Sequence, residues 1–241
     1  MLRSGNPVLR DDVFTGAQTF GSQEAMTIQG TVNKTMILLL LVFLTAGWAW
    51  SNPQTALVLM FPAMIIGFIV GLAAVFKKEW AGITAPIYAF VEGIILGGIS
   101  LFFETAYPGV VTQAVSLTFA TLFCLLMIYK SGLIKVTENF KLGIAAATGA
   151  VMVVYLVDMV MGFFGHRIPF IYQSGPIGIG FSLIVVGIAA FNLVLDFDFI
   201  ENGAKAGAPR YMEWYGAFGL IVTLIWLYLE ILRLLAKMRR R

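Results

Sequence analysis

Residues 35–76 read TMILLLLVFLTAGWAWSNPQTALVLMFPAMIIGFIVGLAAVF, a stretch without one charged side chain. A helix needs about 17 to 25 mostly apolar residues to cross a bilayer, so this block is long enough for two crossings. Ser51-Asn52-Pro53-Gln54 supplies the turn between them, because Asn and Pro favour a chain reversal over a continued helix. The spacing therefore predicts two membrane helices back to back.

Outward from this pair the pattern repeats. Apolar blocks run from about Trp80 to Phe103, Gly109 to Tyr129, Leu142 to Gly165, Ile177 to Leu195 and Trp214 to Ala236. With the first two they make seven. Tyr107-Pro108-Gly109, Pro169 and Ser174-Gly175-Pro176 mark connections. A membrane barrel would show alternating segments of about ten residues, whereas these blocks are apolar on every face. The reading is an all-α integral membrane protein with seven transmembrane helices.

Composition agrees. Of 241 residues, 59% are hydrophobic and 12% are charged, with a mean hydropathy of +0.89. Soluble chains carry roughly 25% charged residues, so this chain cannot cover a globule with polar surface, and lipid is its solvent. The single cysteine, Cys124, excludes an internal disulfide framework. The net charge of +3 comes from basic residues placed mostly between and beyond the apolar blocks, a pattern of membrane topology and not of nucleic-acid binding.

Residues 1–33 are a different material, with Arg3, Arg10, Asp11, Asp12 and Glu24 among Gly, Ser and Thr, and are read as a polar N-terminal tail preceding a membrane domain over 34–241. With that tail cytoplasmic, its side of the membrane holds Arg3, Arg10, Lys34, Lys77, Lys78, Lys130, Lys135, Lys141, Lys205 and Arg210, against Arg167 in the opposite loops. The positive-inside rule then puts the N-terminus in the cytoplasm. Arg233, Lys237, Arg239, Arg240 and Arg241 oppose this if the last helix crosses fully; seven crossings are nonetheless the expectation.

An ionisable side chain inside a span costs roughly 2.5 to 3.5 kcal/mol on insertion scales, so each needs a reason. Four acids qualify: Glu92, Asp158, Asp196 and Glu230, with Asp198 just beyond the sixth block. No lysine or arginine lies deep in a span, and Arg233, three residues after Glu230, is the nearest counter-charge in sequence. In the last block Gly216, Gly219, Thr223, Trp226, Glu230 and Arg233 recur every three or four residues, a polar stripe that should face protein. Each acid also has a structural reading: a helix-end ion pair for Glu230 and Arg233, a solvated helix end for Asp196 and Asp198, an anchor to a neighbouring hydroxyl for Asp158. Gly93 and Gly97 form a small-xxx-small contact. Two carboxyl groups close together in low dielectric cannot easily both ionise, and such a pair would share a proton near neutral pH or capture a cation.

Glu92-Gly93, Tyr107-Pro108-Gly109, the run from Phe191 to Asp198 and the run from Trp226 to Leu235 together resemble the bacterial branch of the Bax inhibitor-1 family, and the likeness extends from Lys34 to the C-terminus. The resemblance implies six helices surrounding a central C-terminal helix, a bacterial cytoplasmic membrane location and a pH-sensitive calcium leak. It maps the family's paired aspartates onto Asp196 and Glu230, with glutamate replacing the second, as proton sensor, gate and transient calcium ligands. Glu92, Asp158, Asp198 and Arg233 are secondary candidates along the ion path. Since Glu230 lies about 24 Å along a helix past Trp214, it can meet Asp196 only if the last span begins nearer Phe218 or the preceding loop re-enters.

The partners expected are the lipid bilayer, calcium ions and protons. A second reading is a membrane-embedded modulator of a protease or secretion complex, meeting a membrane protein partner and transporting nothing. Enzyme readings each lack a required residue: there is no GxGD, no GxSxG, and a HExxH site is impossible with one histidine. No cofactor motif is present.

Overall fold

The computed structural model describes residues 25–240. Seven long helices follow one another: α1 (Ile28–Ser51), α2 (Pro53–Phe76), α3 (Ala81–Ala106), α4 (Val110–Lys130), α5 (Glu138–Phe163), α7 (Pro176–Lys205) and α8 (Met212–Arg239), with a four-residue helix, α6 (Pro169–Tyr172), between α5 and α7. All seven long helices are long and apolar enough to cross a membrane. The predicted all-α, seven-span architecture is thus the one observed, and no strand occurs among the described residues.

Local chemistry sets the ends. Thr27 caps α1 by accepting Gly30 N at 2.9 Å, and Thr137 caps α5 by accepting Phe140 N at 3.2 Å, each relieving an orphan donor of the first turn. Pro53, Pro169 and Pro176 open their helices where a missing N–H costs nothing. The turn between α3 and α4 needs Gly109, whose φ of 81° is left-handed. Glu104, near the end of α3, then caps α4 from outside: Gly109 N donates to its Oε1 at 2.5 Å and Val111 N to its Oε2 at 3.1 Å. Glu104→Ala should therefore lower stability by about 1 kcal/mol, read as a fall in melting temperature in detergent that Glu104→Gln largely avoids.

Packing orders the helices by depth. The last helix, α8, is the most buried, and α1, α3, α4 and α7 pack against it. The other two stand further out, α2 on α1 and α3, and α5 on α7. The C-terminal helix is central as expected, but its ring has four close members and two outer ones. Between α1 and α3 the approach is set by glycine: a Cβ at Gly93 would fall on Thr45 and at Gly97 would lie 2.5 Å from Ala46 O.

Seven crossings put the two ends of the described chain on opposite faces. On the N-terminal face Lys34 pairs with Glu213 at the start of α8; on the C-terminal face Arg239 donates to Pro108 O in the α3–α4 turn. The first helix begins at Ile28, inside the segment read as tail, because Thr27 caps it there and Glu213 neutralises the Lys34 charge taken as its boundary. Residues 1–24 of that tail, including Arg3 and Arg10, lie outside the described residues.

Candidate functional site

The acids singled out in sequence sit in four different environments. Asp158, on α5, is 4% exposed and tied to the α5–α7 connection. It accepts Ile168 N at 2.9 Å, the Tyr172 hydroxyl at 2.5 Å and Arg167 Nη1 at 3.2 Å. Burial, then the bond to Asp158, push the Tyr172 phenol above its ordinary range, so it remains a donor at neutral pH. The hydroxyl anchor expected for Asp158 is present, with Arg167 added.

Glu230 is 2% exposed on α8. Arg233 Nη1 donates to its two carboxylate oxygens at 2.9 and 3.0 Å, and the Tyr155 hydroxyl of α5 donates to Oε1 at 2.9 Å. The triad closes because Arg233 also donates to Tyr155 at 2.7 Å and stacks 5.3 Å from its ring centre. A cavity of about 400 Å3 adjoins it, bordered by Tyr155, Asp158, Arg167, Tyr172 and Arg233 together with Met159, Phe163 and Ile171.

Asp196, on α7, is completely buried. One turn earlier Asn192 donates to Thr148 of α5 at 2.8 Å. Two residues later Asp198 pairs with Lys141 of α5 at 2.9 Å, a cation itself only 4% exposed. Glu92, on α3, is half-buried; its carboxylate engages Tyr88 and faces α2, where a Cβ on Gly67 would lie 3.6 Å from Oε1.

The helix register decides which of these meet. The antiparallel α7 and α8 touch where Gly216 faces Ile200 and again where Lys237 donates to Gly178 O and the Ser182 hydroxyl. In that register Asp196 is level with Leu220, between Gly219 and Thr223 of the polar stripe, and Glu230 is level with Gly187. An independent contact agrees: Tyr155, the partner of Glu230, packs edge-on against Phe181 of α7, well toward the C-terminal face. Asp196 and Glu230 are thus about 14 Å apart along the axes, too far to share a proton or a single calcium ion. In this register the two acids stand at different depths of the bundle. α8 begins at Met212, and α7 runs on to Lys205 past Asp196. Among the described residues no group of three or more His, Cys, Asp or Glu converges to hold a metal ion.

Sequence reasoning missed the partners that depend on tertiary contact. Lys141 opposite Asp198, Arg167 opposite Asp158 and the buried Lys237 all carried charges that looked like helix ends or loop turns. Glu213 was missed as well, although an acid in the first turn of a helix is a recognisable signal.

A family model described as Bax inhibitor 1 like matches residues 6–240. No curated protein and no solved structure matches the chain.

Proposed function

The chain belongs to the Bax inhibitor 1 like family, and from that premise we propose that this multi-pass membrane protein is a passive, proton-regulated calcium leak with its N-terminus in the cytoplasm of a bacterial cell. The observation that carries the reading is the complete burial of Asp196 within a span. A carboxyl group there is tolerated neutral, whereas its ionised form demands water, a donor or a cation. We infer that ionisation of this group at higher pH favours entry of water and cations beside α7.

On this reading the path has two stations. Asp196 is the proton-sensitive station near the N-terminal face, with Asp198 and Lys141 outside it. Glu230, held by Arg233 and Tyr155, is the closure near the C-terminal face, opening on the cavity beside Asp158. Calcium prefers several oxygen ligands, so carboxylates, backbone carbonyls and water would serve it in turn along the seam. The role is transport, with no bond-making chemistry.

The test is calcium flux into proteoliposomes from about pH 5 to about pH 9, a range that brackets ordinary and strongly perturbed carboxyl groups. Flux should climb with pH in the wild type and lose that dependence in Asp196→Asn. Equal flux in the two proteins at every pH would overturn the assignment.

A further inference from the structure

The segment before α1 is tied down across the inner ends of α7 and α8. Met26 N donates to Ala208 O at 2.7 Å, and Ala25 forms an antiparallel bridge with Pro209, so the chain runs along the α7–α8 connection. The Met26 side chain is 2% exposed and joins the core that holds Phe199, Ile200, Ala208 and Met212.

Its position relative to Asp196 is specific. A Cβ on Gly216 would lie 3.2 Å from Ile200 Cγ1, 3.3 Å from Thr31 Cγ2 and 3.7 Å from Met26 Cε, so α1, α7, α8 and the Met26 thioether converge at one point. Ile200 is one helical turn beyond Asp196 on the same face of α7. Met26 therefore fills the level directly between Asp196 and the N-terminal face.

A polar clasp holds it there. Glu213 Oε1 accepts both Thr27 N and the Thr27 hydroxyl at 2.9 Å, while Oε2 pairs with Lys34, whose ammonium also lies 5.5 Å over the Trp214 ring. Glu213 is 3% exposed. Gly30 faces the same carboxylate, and a Cβ there would collide with it. An unbranched thioether fills irregular space and can withdraw without rearranging a helix. The clasp, by contrast, is built of charged and hydrogen-bonded groups that hold one geometry.

We propose that residues 25–27 are a plug: Met26 closes the route from the N-terminal face to Asp196, and Glu213 with Lys34 is the clasp that keeps it seated. The proposal rests on the reading of Asp196 as a station of an ion path. Withdrawal of the plug, not movement of a membrane helix, is then the step that admits water and cations to that station.

The test reads access separately from flux. In a Cys124→Ser background, Ile200→Cys reports access through its rate of reaction with a water-soluble thiol reagent in reconstituted vesicles. Met26→Ala and Glu213→Gln should each speed labelling about tenfold by raising the population of the open plug, with calcium flux rising in parallel. Thermal melts show whether each variant is folded, and Glu213→Gln retains the plug side chain if Met26→Ala does not fold. Faster labelling with unchanged flux would keep the plug and remove Asp196 from the path. Unchanged labelling in folded variants would overturn the plug, whatever the flux.

Discussion

Arg233→Ala is expected to lower the melting temperature in detergent by about 10 °C, on the basis of about 3 kcal/mol for an orphaned buried charge and about 2 to 4 °C per kcal/mol at this chain length. Glu230 is 2% exposed, and of its three hydrogen bonds two come from Arg233 and the third from Tyr155, which Arg233 also holds. Removing the guanidinium leaves one phenol to balance a carboxylate inside the bundle. The carboxylate must then take a proton, admit water or bind a cation, and each costs part of the native packing. A pair exchanged whole behaves differently: Arg233→Leu with Glu230→Leu removes both desolvation penalties and should recover most of the loss. If Glu230 is the closure of the path, Arg233→Ala also raises calcium flux while it destabilises. Melting within about 2 °C of the wild type would show that the pair contributes no more than an exposed surface pair does.

What sequence could and could not reveal follows the range of each interaction. The seven helices were legible because span length and the absence of charge are local properties, and the pair of Glu230 with Arg233 was legible because three residues on a helix are neighbours. Boundaries slipped where a charge is neutralised from afar: Lys34 reads as the edge of a span, yet Glu213, distant in sequence, lets α1 run through it. The separation of Asp196 from Glu230 was legible only as a question, raised by the depth of Glu230 past Trp214. It depends on where α7 and α8 lie against each other, which is fixed by Ile200 on Gly216 and by Lys237 on Gly178 and Ser182. The basic residues near the C-terminus, which weighed against the expected topology, have partners within the bundle. Lys237 and Arg239 hold backbone carbonyls of neighbouring segments, and Arg233 holds Glu230, so these cations staple the end of α8.

Gly97→Leu is expected to prevent folding, or to leave too little folded protein to purify. Any Cβ at this position would lie 2.5 Å from Ala46 O, 2.7 Å from Ala49 Cβ and 3.0 Å from Ala46 Cα. Two of those atoms are backbone of α1, so no rotamer change relieves the clash. One helix would have to move away from the other, and α1 is held along its length by α8 as well as by α3. Gly93, one turn earlier, meets α1 in the same way, with Val42 O 2.6 Å from its Cβ position. Overpacking of a tight core costs about 1 to 3 kcal/mol for small additions, a range suited to Gly97→Ala, while a full leucine side chain has no space to enter. The contrast is Gly71→Ala on α2. Its added methyl would meet only ring carbons of Tyr88, the nearer at 3.5 Å, an ordinary contact, so that variant should melt close to the wild type. Expression and melting of the three variants measure the prediction. Gly97→Leu folding with an unshifted melting temperature would mean that α1 and α3 can part without cost, and that the fold is not organised around their contact.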